Sequence, residues 1–127
     1  MLGLSVLVVE DSHLMAVVLE DLLIEAGAAI VSSVACVTDA LEILRRDPVD
    51  FACLDINLGA ETSFPIADEL ALRGIPFIFL SGYPQDRIPE AHRQRPFLSK
   101  TVADRSLIAA CCRLALPTAP EGLPGMA

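Results

Sequence analysis

Apolar runs of strand length alternate along this chain with amphipathic segments of helix length. Residues 4–9 (LSVLVV) are rich in β-branched side chains and predict a buried strand. Residues 12–26 predict a helix, with Leu14, Val18, Leu22 and Met15, Leu19, Leu23 at i, i+4 spacing. Glu20, Asp21 and Glu25 lie off that apolar face, Asp11 or Ser12 caps its start, and Gly27 stands where a C′ residue ends a helix. A second strand over 29–35 leads to a short helix opened by Thr38 and Asp39, running to Arg46 and ended by Pro48. A third strand covers 51–54. Ser63 is expected to cap a helix reaching Arg73, with Pro65 in its first turn and Gly74 beyond its end. A fourth strand covers 76–80 (PFIFL), a short fifth covers 96–98, and a last helix runs over about 102–114.

Strands apolar on both faces, alternating strictly with helices, predict an α/β protein whose parallel sheet is covered on both sides. Five such units suit an open, doubly wound sheet and are too few for an eight-stranded barrel. At 127 residues the chain has room for one domain, expected over 1–116. Residues 117–127, with three prolines and two glycines, read as a tail.

Composition narrows the function. Seventeen acidic against nine basic side chains leave a net charge of −8, which disfavours nucleic acid and anionic membrane as partners. The longest uncharged stretch, residues 26–38, is too short to span a bilayer. The apolar start of the chain lacks a basic n-region and meets Glu10 and Asp11 at once, so it is not read as a signal peptide. Cys36 and Cys53 lie in apolar runs and Cys111 and Cys112 are adjacent, a spacing that fits neither zinc nor a disulfide framework. Thiols of this kind place the protein in the cytoplasm. His13 and His92 have no partner by spacing and are expected at the surface.

In an open parallel sheet, function gathers beyond the carboxyl ends of the strands. The residues there are Glu10 and Asp11 after the first strand, Asp55 after the third, Ser81 after the fourth and Lys100 after the fifth. Three carboxylates converging on one edge need a cation, and hard oxygen donors without histidine favour Mg²⁺. Lys100 adds a compact positive charge and Ser81 a hydroxyl donor. Lys100 is the sole lysine beside eight arginines, as expected of a site that needs an ammonium. Such a set suits a phosphoryl group, with Asp55 as the attacking carboxylate and Glu10 and Asp11 as metal ligands.

The segments VLVVEDS, CLDINL, FLSGY and PFLSK, in this order, resemble the receiver domain of two-component response regulators, over roughly residues 4–114. The resemblance implies a flavodoxin-like, five-stranded sheet of order 2-1-3-4-5. It implies a phosphoacceptor at Asp55 and Mg²⁺ held by Glu10, Asp11, Asp55 and the Asn57 backbone carbonyl. Ser81 and Lys100 would contact the phosphoryl group, and Phe97 matches the family's switch aromatic. The phosphoryl donor would be a histidine kinase or a phosphotransfer protein, the downstream target another protein. FLSGY is similar to the Phe-Ala-Thr-Gly-x-Tyr signature of single-domain alphaproteobacterial regulators, with the spacer missing.

Three departures stand out. Thr101 follows Lys100 where receivers usually carry proline, Gly59 replaces the proline four residues after the phosphoacceptor, and Ser63 replaces a glycine. The alternatives are a receiver-like interaction module that is not phosphorylated and an aspartate-dependent phosphohydrolase. The latter needs a second acid two residues beyond its nucleophile, and Asn57 stands there, so no enzymatic turnover is expected beyond self-phosphorylation and slow dephosphorylation. Pro84, Pro89 and Pro96 punctuate the 18 residues between Ser81 and Lys100, so the fourth helix is expected to be short or irregular, with at most one turn after Pro89. Tyr83 either covers the phosphoryl group or packs beside Phe97.

Overall fold

The computed structural model describes residues 3–81, 88–93 and 97–99, with Ser81 and the last three described by their backbone alone. Strand β1 (Ser5–Val9) leads into helix α1 (His13–Glu25), and β2 (Ile30–Val34) into α2 (Val37–Arg46). Strand β3 (Phe51–Asp55) is followed by two short strands, β4 (Asn57–Leu58) and β5 (Glu61–Thr62). Helix α3 (Phe64–Leu72), β6 (Phe77–Ser81), a single 3₁₀ turn (Glu90–His92) and β7 (Phe97–Ser99) complete the described elements. The sheet runs β2-β1-β3-β6-β7, and every pairing in it is parallel. Setting aside the antiparallel β4–β5 hairpin, this is the expected 2-1-3-4-5 order.

Alternation along the strands divides the core between the two faces. Leu7, Val9, Ala52, Leu54, Phe77 and Phe79 pack with Ala40 and Leu44 of α2 and Ile66, Ala67 and Leu70 of α3. Val6, Val8, Phe51, Cys53, Ile78 and Leu80 pack with Leu19 and Leu23 of α1. β1, β3 and β6 are therefore buried on both sides, as their sequence predicts. β2 is not. It is an edge strand, with Ile30 58% exposed, and the Ser32-Ser33 pair interrupts its apolar run.

Helix α1 also departs from its predicted face. Ala16, Leu19 and Leu23 are buried, with Met15 and Leu22 packed beside them, whereas Leu14 is 76% and Val18 43% exposed. The helix carries apolar residues around most of its circumference, so spacing alone does not choose the stripe that meets the sheet. Ser12 caps α1, its Oγ accepting the Met15 N–H at 3.3 Å. At the other end Gly27, at φ +109°, donates to Ile24 and Ala28 donates to Leu23, the paired bonds that close a helix on a left-handed residue. Ser63 occupies the N-cap of α3, but its side chain makes no capping bond and is buried.

Of the segment after β6 that is expected to hold a short or irregular helix, only residues 88–93 are described, and the rest of it up to β7 lies outside the described residues. Pro89 precedes one 3₁₀ turn, and no longer helix occurs among the described residues 88–93. The helix expected over 102–114, the Lys100–Thr101 peptide, Cys111, Cys112 and the tail lie outside the described residues.

Candidate functional site

The site begins with the register of three parallel strands. Val9 pairs with Leu54, so Glu10 and Asp11 leave β1 beside Asp55, the last residue of β3. Asp55 in turn pairs with Leu80, one residue before Ser81, and Ser81 pairs with Ser99, the residue before Lys100. Carboxylate oxygens of Glu10, Asp11 and Asp55 all lie within 4.8 Å of one another. Glu10 and Asp55 are only 3% and 4% exposed, while Asp11 faces solvent. The backbone keeps Glu10 in place, since its N–H donates to Val34 at the end of β2. Its Oε2 accepts the Ser12 N–H at 3.1 Å, setting the carboxylate against the positive end of α1.

Each ionised pair at this spacing repels by roughly 3 kcal/mol at an effective dielectric near 20. The donor set contains carboxylate oxygens alone, the hard ligands that suit Mg²⁺ or Ca²⁺ rather than zinc or copper. The residues therefore fit a hard divalent cation. A cavity of about 160 Å³ opens beside the cluster, lined by Glu10, Asp11, His13 and Ser33 among others. It borders Glu10 and Asp11 but not Asp55.

Asn57, two residues past Asp55, begins the β4–β5 hairpin. Sequence reading missed this hairpin. Its signal is Gly59, which adopts φ +75°, a region open to glycine at little cost. The turn Gly59–Ala60 lies close to the cluster, with the glycine's missing Cβ position 3.9 Å from Asp11 Oδ2. At the hairpin's base the Ser63 N–H donates to the Ile56 carbonyl, and the Ile56 N–H donates to Leu80 on β6.

Of the other predicted site residues, Ser81 ends β6 and Phe97 begins β7, and their side chains lie outside the described residues. Tyr83 and Lys100 lie outside them altogether. His13 is exposed as expected. His92 is not a surface residue. It is 2% exposed, its ring stands edge-on to Phe77 and Phe79, and its Nε2 lies 2.7 Å from Asp68 Oδ1 on α3.

The family model for the response regulator receiver domain matches residues 6–111. This chain belongs to that family. No curated protein sequence matches the receiver significantly. Among solved structures, it is similar to SdrG of Sphingomonas melonis Fr1, at 35% identity and a TM-score of 0.74, covering 87% of this chain and 94% of SdrG. It is also similar to the REC domain of the PhyR response regulator of Erythrobacter litoralis, at 26% identity and a TM-score of 0.78, covering 94% and 98%. The response regulator TrrA of Thermotoga maritima, whose structure is a complex with Mg²⁺-BeF, shares the fold at 20% identity and a TM-score of 0.74, covering 87% and 97%. Among the described residues of this receiver, no helix is long and apolar enough to cross a membrane.

Proposed function

We propose that this receiver takes a phosphoryl group on Asp55 from a histidine kinase or a histidine phosphotransfer protein in the cytoplasm. The observation that carries this reading is the Asp55 carboxylate at the carboxyl edge of the sheet, its oxygens within 4.8 Å of those of Glu10 and Asp11. Glu10, Asp11, Asp55 and the Asn57 carbonyl would hold Mg²⁺, which supplies charge neutralisation for the phosphoryl oxygens. An Asp55 oxygen attacks phosphorus in line with the phosphoimidazole bond. As that bond breaks, the departing imidazole nitrogen keeps the electron pair and takes a proton. Lys100 and Ser81, which follow β7 and end β6, are assigned to the transferred oxygens. Phe97 and Tyr83 are assigned to sensing the product. Asn57 offers no general acid or base beside the acyl phosphate, so the product persists rather than turning over.

We assign residues 1–116 to the receiver and 117–127 to a tail. The receiver passes its signal through contacts with another protein or by draining phosphate from the kinase. Acetyl phosphate with Mg²⁺ should add one phosphoryl group to the purified chain, read by intact mass, and Asp55→Asn should abolish it. Undiminished labelling of that variant would refute the assignment. Absence of labelling with both acetyl phosphate and a panel of kinase domains would favour an unphosphorylated interaction module, the reading to which Thr101 in place of proline lends weight.

A further inference from the structure

We infer that Glu61 is a positioning residue for the metal site, tethering the β4–β5 hairpin to α2 so that Asn57 stays beside the carboxylate cluster. The inference rests on the Mg²⁺ site proposed above and adds to it a residue that touches neither metal nor phosphate. Glu61 Oε2 accepts the Val37 N–H at 3.0 Å across 24 residues of sequence. Val37 is the first residue of α2, and Cys36 at the N-cap position gives that helix no side-chain capping bond. The side-chain oxygen satisfies one of the N–H groups that the first turn of a helix leaves without an intrahelical partner.

The hairpin needs such a hold. It has two residues per strand, Asn57 pairing with Thr62 and Leu58 with Glu61. Its turn contains Gly59 at φ +75° where receivers usually have a rigid proline. An isolated ribbon of that size is not stable in water. Leu58, buried in the core, and the Ser63–Ile56 bond fasten one side and the base. Glu61 fastens the other strand to α2. Asn57 leads the same hairpin two residues from Asp55, so a shift of β5 moves a metal ligand.

Calorimetric titration of Mg²⁺ into the full chain tests this. Glu61→Ala should weaken Mg²⁺ binding about tenfold, the scale of losing an outer-sphere orienting partner. The conservative variants separate a tether from a mere charge. Glu61→Gln keeps an acceptor of the same reach and should bind close to wild type, whereas Glu61→Asp keeps the charge, loses a methylene and should bind more weakly. The reverse order would overturn the tether in favour of long-range attraction. Amide exchange in Mg²⁺-free protein supplies a second readout: Glu61→Ala should speed exchange at Val37 and within 57–62, and unchanged exchange overturns the inference. Lower stability with unaltered Mg²⁺ affinity also overturns it, leaving Glu61 as a simple helix cap. A wild-type chain that binds no Mg²⁺ sinks the metal reading itself, a result distinct from equal binding by wild type and Glu61→Ala.

Discussion

His92 shows how a polar residue can be placed by its neighbours rather than by its own chemistry. Its ring centroid lies 5.7 Å from that of Phe77 and 6.1 Å from that of Phe79, both in edge-on geometry. Nε2 reaches Asp68, while Nδ1 has no hydrogen-bond partner among the described residues. The ring thus contributes chiefly as an aromatic wedge that pins the 3₁₀ turn on the α3 side of the sheet. His92→Ala leaves a cavity against two phenylalanines and should destabilise the fold by about 3 kcal/mol in urea unfolding. His92→Phe keeps the wedge. It frees Asp68, which is 72% exposed and returns to water, so the loss should be about 1 kcal/mol or less. Equal losses for the two variants would make the Asp68 bond, not the packing, the main contribution.

At the level of elements, the β4–β5 hairpin carries one of the departures from the receiver pattern, glycine in place of proline at Gly59. The first central residue of its two-residue turn is Gly59 at φ +75°, and no other residue type takes positive φ among the described residues. Glycine at this position matches a turn whose twist suits a right-handed ribbon. Gly59→Pro restores the residue receivers usually carry, yet it forces φ to about −65°, on the wrong side of zero. The variant should lose more than about 1 kcal/mol of stability and bind Mg²⁺ more weakly, because the strand bearing Asn57 is displaced. A proline variant as stable as wild type would show that the loop has a second, equally good conformation. Helix α1 carries a related lesson. Leu14 and Val18 on its open side belong to the same i, i+4 pattern as Leu19 and Leu23 on its closed side, and only the sheet distinguishes them.

At the level of the whole molecule, the carboxyl edge of the sheet concentrates charge that the fold must tolerate. A chain of net charge −8 places two nearly buried carboxylates and a third within 4.8 Å of each other. The proposed phosphoryl and metal site is therefore set against stability at one place. Metal-free Asp55→Asn should unfold at a higher temperature than metal-free wild type, since it removes one of three mutually repelling charges. Mg²⁺ at a hundred times its dissociation constant should stabilise wild type by about 2.7 kcal/mol and the variant by much less. Thermal unfolding with and without chelator measures both. A metal-free variant less stable than wild type would mean that Asp55 is held by favourable contacts that outweigh the repulsion.

The alternation of the main-sheet strands with α1 to α3, the helix stops at Gly27 and Gly74, and the single turn after Pro89 were legible in the sequence because each depends on local periodicity or on one backbone constraint. The acidic residues at the carboxyl edge were legible too, since a parallel sheet sends every strand's end to the same side. Tertiary structure alone decided which stripe of α1 faces the sheet and that His92 packs against Phe77 and Phe79. It alone joined Glu61 to Val37. These are contacts between residues far apart in the chain, where neither partner carries a sign of the other. Propensity and spacing report what a segment can do by itself; burial depends on which other segment the crossovers bring against it.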